Sequence, residues 1–177
     1  MGARLAIEHV PTANLDRAVS KEIRTLCDAA YGEETAGYFK SLGEGDHLLG
    51  RRDGVLVSHL MWVTRWLEPE GLRELRTAYV EMVATAPAEQ KKGYASMLLD
   101  HFPPLAREFE LAALSPATEG IYLKLGWQFW RGPLSARKDG AIEPTPDERV
   151  MILPLDTTPA LDLHVPLSVE WRKGEVW

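Results

Sequence analysis

The chain has 177 residues, enough for one globular domain with a sizeable core and too few for two ordinary domains and a linker. Apolar residues make up 45% and charged residues 26%, with a mean hydropathy of −0.20, which excludes a disordered chain and a helical membrane protein. The formal net charge of −6 argues against nucleic acid as the main partner and is compatible with a cationic one.

Residues 4–10 read as a short strand. Leu15, Val19, Ile23, Leu26 and Ala30 then recur at helical spacing between Asn14, the expected N-cap, and Gly32, the expected stop. Cys27, the only cysteine, falls on this helix and reads as a small buried apolar residue. Alone, it forms no intrachain disulfide or cysteine-rich zinc site, and it suits a reducing cytoplasm. The next segment is Gly-rich and acidic, with Glu33, Glu34, Glu44 and Asp46 opposed only by Lys40. It reads as a solvated connection or as the rim of a site for an amine-rich ligand. Residues 47–49 and 55–66 flank an Asp53-Gly54 turn, so a hairpin is expected.

Residues 75–86 form the next predicted strand, which leads through Pro87 and a polar loop into a helix over 94–102 that Pro103 and Pro104 break or kink, unless a separate turn continues through Leu105 to Phe109. A strand at 111–114, a helix from about 116 to 126, and strands at 127–130, 150–155 and 165–171 complete the order. Helices do not separate every strand pair, so the expectation is an α/β (α+β) layered domain over 1–177, with a mixed sheet and helices on its faces, and not a doubly wound fold. From residue 139 onward eight acids face three bases, so most of the negative excess lies late in the chain. The opening MGARLAIEHVP lacks a signal-peptide apolar run, and no stretch approaches the ~20 residues that span a bilayer, so cytoplasmic residence without membrane contact is expected.

The strand-loop-helix unit at 78–102 carries the clearest chemistry. Gln90, Lys91, Lys92, Gly93, Tyr94 and Ala95 precede or open a helix, where free backbone N–H groups can hold a pyrophosphate. Gly93 and Ala95 leave room for close approach, and the two lysines would add charge. Neither a dinucleotide fingerprint nor a Walker loop is present. The five histidines show no metal-ligand spacing and no metal is expected; His47 and His59 read as satisfied strand histidines or substrate contacts. Trp62, Trp66, Trp127 and Trp130 read as core, dimer packing or the walls of a sugar cleft.

The loop resembles the acetyl-coenzyme A pyrophosphate loop of the GCN5-related N-acetyltransferase (GNAT) superfamily. Further segments resemble its aminoglycoside 2′-N-acetyltransferases: Ala78-Tyr79-Val80-Glu81-Met82-Val83 is similar to their Gly-Tyr-Val-Glu strand, Leu111 to Ser115 to Leu-Gly-x-Leu-Ser, Tyr122 to Trp127 to Tyr-x-x-x-Gly-Trp, and Glu170 to Trp177 to Asp-Trp-Arg-x-Gly-Asp-Val-Trp. The resemblance implies a GNAT fold with a mostly antiparallel central sheet and helices on both faces. It also implies acetyl-CoA as co-substrate, an aminoglycoside acceptor, antibiotic resistance and a homodimer, with strands 150–171 as interface. By the same resemblance, Glu81 relays the proton of the substrate ammonium and Tyr122 protonates the leaving thiolate. Met82, Val83, Gln90, Lys91, Lys92, Gly93, Tyr94, Ala95 and Ser115 serve the cofactor, with Val83 offering its main-chain N–H to the thioester carbonyl and alternation placing Glu81, Val83 and Thr85 on one face. Ser115 reads equally well as a helix cap. Glu33, Glu34, Asp147, Glu148, Glu175 and Trp177 are the acceptor contacts, the last through its terminal carboxylate. The segment 32–45 is shorter than the family pattern, with Gly37-Tyr38 where a second acid is expected, and the loop at 146–149 is also shorter. Fewer or shifted acids point toward kasugamycin as acceptor. Competing readings are a GNAT acting on another small amine or a peptide N-terminus, and a non-catalytic binding module for coenzyme A or antibiotic.

Overall fold

The computed structural model describes residues 5–177 and divides the chain into two compact units. The first takes the chain up to Val63 together with Val80–Phe102; the second takes Thr64–Tyr79 and Pro103–Trp177. Residue 4 of the first expected strand lies outside the described residues.

In the first unit, β1 (Ala6–Pro11), β2 (Asp46–Arg52) and the first part of β3 (Val55–Pro69) form an antiparallel ladder, with Ala6 opposite Arg51 and Asp46 opposite Trp62. The β2–β3 turn is the expected one: Asp53 and Gly54 both have positive φ, +50° and +81°, as a two-residue hairpin requires. Helix α1 (Arg17–Tyr31) begins two residues later than the sequence indicates. Asn14 lies in a 3-10 turn, Thr12–Asn14, and Asp16 caps the helix by accepting the Val19 N–H at 2.8 Å. Gly32 ends it in the left-handed region, as expected.

The Gly-rich connection contains a helix that the sequence reading omits, α2 (Ala36–Leu42). Leu56 to Val63 on β3 are all buried, so both faces of that strand are covered, and Trp62 packs edge-on against Phe102 at 5.1 Å. Gly45 permits this packing: a Cβ there would lie 2.3 Å from the Trp62 carbonyl oxygen. The second part of β4 (Leu75–Thr85) and α3 (Tyr94–His101) complete the unit.

In the second unit the strand order is β6 (Gln128–Phe129), β9 (Met151–Pro154), β5 (Leu111–Leu114), β4, β3, β10 (Leu167–Glu170), β7 (Leu134–Lys138), β8 (Ala141–Pro144). β4 runs parallel to β5, with Tyr79 opposite Ala113, and β10 runs parallel to β7 but antiparallel to β3. The expected mixed sheet is therefore present. The β7–β8 hairpin turns on Asp139-Gly140, both at positive φ, a second Asp-Gly signal that the sequence reading passed over. Helix α4 is only Gly120–Lys124; Pro116 to Thr118 lie outside it. The strands expected as a dimer interface, β9 and β10, each have a neighbour on both sides, so neither offers a free edge for pairing with another chain. Among the described residues no helix is long and apolar enough to cross a membrane.

Candidate active site

The central strand β4 carries the chemistry in the first unit. Glu81 is 8% exposed, and the Tyr38 hydroxyl of α2 donates to its Oε2 at 2.8 Å. An isolated buried carboxylate is costly, and a hydrogen-bonded one is tolerable. Tyr38 thus occupies the place where a second acid is expected and serves the first acid directly. Met82 follows at φ +53°, among the described residues the one non-glycine residue with left-handed backbone inside a strand, and this interrupts the regular extended backbone on which the expected alternation of Glu81, Val83 and Thr85 depends.

Three consecutive carbonyls from Met82 onward each accept a side-chain hydrogen. His59 Nδ1 reaches Met82 O at 2.9 Å, Tyr31 Oη reaches Val83 O at 3.0 Å, and Ser58 Oγ reaches Ala84 O at 3.1 Å. The three peptide planes from Met82 to Thr85, which begin one residue after Glu81, are therefore held by side chains from outside the strand. His47 and His59 are satisfied structural histidines, hydrogen-bonded to each other at 2.9 Å, and burial pulls them down to about 4 and about 3. Cys27 is buried, and burial pushes its thiol up to about 12, so it is no nucleophile.

β4 leads through a 3-10 turn, Pro87–Glu89, into α3, whose N-cap Gly93 sits at φ +83° with no side-chain cap bond. Lys91 is left-handed as well, at φ +63°, so the loop presents successive backbone N–H groups at a helix start. Gln90, Lys91, Lys92 and Gly93 are exposed, Tyr94 and Ala95 half-buried. Two of the expected contacts are engaged: Lys92 Nζ lies 2.9 Å from Glu89 Oε2, and Gln90 Nε2 donates to Thr85 O at 3.3 Å. Glu89 also accepts from Arg52 at 3.1 Å; the Lys92 and Arg52 hydrogen bonds hold its carboxyl below the ordinary range. Lys92 therefore faces an internal anion. Glu33 and Glu34 are exposed just beyond Gly32.

In the second unit, Glu148 lines a groove of about 610 Å³ together with Trp130, Leu134, Thr145, Pro146 and Arg149, and Asp147 and Glu175 lie close enough to Glu148 to act on its charge. Burial raises the Glu148 carboxyl, and the neighbouring Glu175 and Asp147 raise it further. Trp177 is buried and donates its indole N–H to Thr145 Oγ1 at 2.8 Å. Its segment is anchored by Arg65, a buried residue the sequence reading missed. Arg65 donates to Glu170 Oε1 at 2.7 Å, to Glu170 O at 2.7 Å and to Val176 O at 2.8 Å. A lone arginine between Val63 and Leu67 on an apolar strand was the available signal.

Tyr122 is buried against Trp127, and burial pushes its phenol up to about 12. Ser115 caps no helix; it is exposed and its hydroxyl donates to Arg149 O at 3.0 Å, which leaves it acceptor capacity only. Of the four tryptophans considered as cleft walls, Trp62 and Trp127 are core, Trp66 is exposed and only Trp130 lines the groove. Among the described residues no group of three His, Cys, Asp or Glu side chains is arranged to hold a metal ion.

A family model described as an acetyltransferase (GNAT) domain matches residues 14–130. The chain is 31% identical over 177 residues to an aminoglycoside 2′-N-acetyltransferase of Mycolicibacterium fortuitum, covering 95% of this chain and 90% of that protein. Among solved structures it is similar to the GNAT family N-acetyltransferase YhbS of Escherichia coli in complex with CoA, at TM-score 0.66 and 14% identity over 96% of this chain and 91% of that one. It is also similar to a GNAT family acetyltransferase of Brucella melitensis in complex with acetyl-CoA, at TM-score 0.60 and 15% identity over 92% and 94% of the two chains. Eis1 of Mycobacterium abscessus aligns at TM-score 0.62 and 21% identity over 75% of this chain, which spans about a third (33%) of the Eis1 chain. At these identities the structural likeness bears on the fold. With the family model matched across residues 14–130 and 31% identity carried through nearly the whole length, the chain belongs to the GNAT acetyltransferases.

Proposed function

We propose that residues 1–177 act as one N-acetyltransferase domain that moves an acetyl group from acetyl-CoA to an aminoglycoside amine by direct attack. The observation that carries this reading is Glu81: a buried carboxylate held by Tyr38, followed at once by the left-handed Met82 and, along the same strand, by a loop suited to pyrophosphate. The Mycolicibacterium fortuitum relative supports the aminoglycoside as acceptor and its 2′-amine as the position modified. The acetyl-CoA bound in the Brucella structure and the CoA bound in the Escherichia one support acetyl-CoA.

In this mechanism Glu81 takes the ammonium proton, through water, so that a neutral amine attacks the thioester carbon. The Val83 N–H stabilises the oxygen of the tetrahedral intermediate, whose nitrogen sheds its second proton to water as it collapses to the amide and the coenzyme thiolate. Tyr122, kept protonated by its burial, supplies the proton to that thiolate. The proton shed by the nitrogen then returns through water to the Tyr122 oxygen. Lys91, Gly93, Tyr94 and Ala95 hold the pyrophosphate through charge and backbone N–H groups, with Gln90, Met82 and Ser115 along the arm. Asp147, Glu148 and Glu175 draw in the cationic acceptor beside Trp177, with Glu33 and Glu34 as further acids. Resistance by drug modification and a homodimeric state belong to the same proposal, and kasugamycin is its finer acceptor reading.

An acceptor screen read by free thiol release tests reaction and substrate together, using gentamicin, neamine, kasugamycin and a peptide with a free N-terminus. Turnover on aminoglycosides is expected, and Glu81→Gln is expected to lose about a hundredfold in rate or more with acetyl-CoA binding retained. Turnover on the peptide alone overturns the acceptor. Tight drug binding without turnover by the wild type favours a sequestering module.

A further inference from the structure

The mechanism makes no use of His47 and His59, yet both are buried, His59 completely at 0% exposure, and they end a hydrogen-bonded line on the strand that carries Glu81. The direction of each link can be assigned. The Met82 carbonyl can only accept, so His59 Nδ1, 2.9 Å away, carries a hydrogen. A neutral imidazole then has a bare Nε2, and His47 Nδ1 at 2.9 Å must carry the hydrogen of the next link. His47 Nε2 is bare in turn and accepts from the Thr12 hydroxyl at 3.0 Å. That hydroxyl has one hydrogen and an alternative acceptor in Gly45 O at 3.0 Å, but only the histidine nitrogen has no other donor in this line. Gly45 N–H completes the run by donating to Thr12 Oγ1 at 3.0 Å. Every hydrogen points toward Met82.

The end point is a strained one. A methionine at φ +53° inside a strand persists only where its surroundings over-determine it, and the other non-glycine residues at positive φ, Asp53, Lys91 and Asp139, lie in turns or loops. The hydrogen bond from His59 falls on the carbonyl of the strained residue itself. Tyr31 and Ser58 hold the next two carbonyls, so both peptide planes of Val83 and the one after them are held as a set just beyond Glu81.

We infer that His59 is a positioning residue for acetyl transfer: its Nδ1–H on Met82 O holds the left-handed backbone of Met82 that sets the Val83 N–H beside the Glu81 carboxylate, and His47 with Thr12 fixes the tautomer that makes this possible. The inference rests on the acetyltransferase reading above, and its test separates the two. Nitrogen-15 spectra of histidine-labelled wild-type protein at neutral pH are expected to show His47 and His59 with hydrogen on Nδ1 and a bare Nε2. Hydrogen on Nε2 of His59 overturns the proposal. In kinetics, His59→Leu removes the donor and is expected to lower kcat about tenfold, the rate equivalent of one hydrogen bond, with the KM for acetyl-CoA changed by less than about twofold. His59→Asn, whose amide nitrogen sits where Nδ1 was, is expected to keep kcat within about threefold of wild type. Adding Met82→Gly to His59→Leu is expected to restore part of the rate, because glycine takes the left-handed backbone without help. Equal losses in the leucine and asparagine variants, or wild-type kcat in the leucine variant, overturn the proposal. If His59→Leu does not fold, the wild-type tautomers and His59→Asn decide it. No turnover by the wild type on any acceptor refutes the acetyltransferase reading, whereas the spectra need no turnover.

Discussion

Lowering the pH from 7 to 4.5 charges the histidines of the unfolded chain while leaving His47 and His59 largely neutral in the folded protein. Burial, the main cause, pulls them to about 4 and about 3; Asp46 opposes the shift at His47, and His47 adds to it at His59. The unfolded state thus binds more protons across this range, so stability is full at pH 7 and falls as the pH drops below the ordinary histidine value. At pH 4.5 an ordinary histidine lies about two units below its pKa, at about 1.4 kcal/mol per unit, so each buried histidine removes about 2.5 kcal/mol and the pair about 5. That equals the whole stability of a marginal domain. The assay is urea unfolding at both pH values for the wild type and for His47→Gln/His59→Asn. The other ionisable groups are common to both proteins, and the Cys27 thiol, pushed up to about 12, stays neutral in both, so the difference isolates the pair. The variant is expected to lose about 5 kcal/mol less than the wild type on acidification. Equal losses, within about 1 kcal/mol, would refute the assignment of two buried neutral histidines.

Tyr38→Phe removes the hydrogen bond on the Glu81 carboxylate, an interaction with a charged group worth about 1.5–3 kcal/mol, and is expected to lower kcat/KM about tenfold in steady-state assays. Because Lys92 lies on Glu89, Lys92→Ala should leave the KM for acetyl-CoA within about twofold, whereas Glu89→Gln, which releases Lys92 and Arg52, should lower it at low salt and lose the effect at high salt. Gly132→Ala drives a Cβ to 1.9 Å from the Val165 carbonyl oxygen, so calorimetry should record a loss of about 3 kcal/mol, or roughly 8 °C in Tm, against no more than about 0.5 kcal/mol for Gly120→Ala, where nothing lies within 4 Å.

What the sequence made legible was whatever a local signal governs. Asp53-Gly54 marks its hairpin, Gly32 stops its helix, and the four apolar residues Leu111 to Leu114 bound β5 to the residue. Glu81 stood out because an acid in an apolar strand needs a partner. The partner did not, since Tyr38 lies 43 residues away and only the fold joins them. The left-handed Met82 was illegible for another reason: methionine carries no preference for that backbone, so nothing in Val80-Glu81-Met82-Val83 announces that regular extension is interrupted there. Lys92 looked like a phosphate contact because composition does not reveal that Glu89 and Arg52 fold around it. β7 was passed over because Leu134-Ser135-Ala136-Arg137-Lys138 has too few apolar residues to read as a strand, although its inward positions, Leu134 and Ala136, are both buried.

β10 comes last of the strands in chain order yet lies between β3 and β7, and its residues pair on the β3 side with residues about a hundred positions earlier in the chain. During synthesis the lower part of β3 and one side of β7 stay unpaired until residues 167–170 have left the ribosome. Two open edges are then exposed on a nascent chain, the condition under which strands pair with other molecules. A stop at or before codon 167 would therefore do more than remove Trp177. It would withhold the strand that closes the second unit and favour aggregation over a shortened but soluble enzyme.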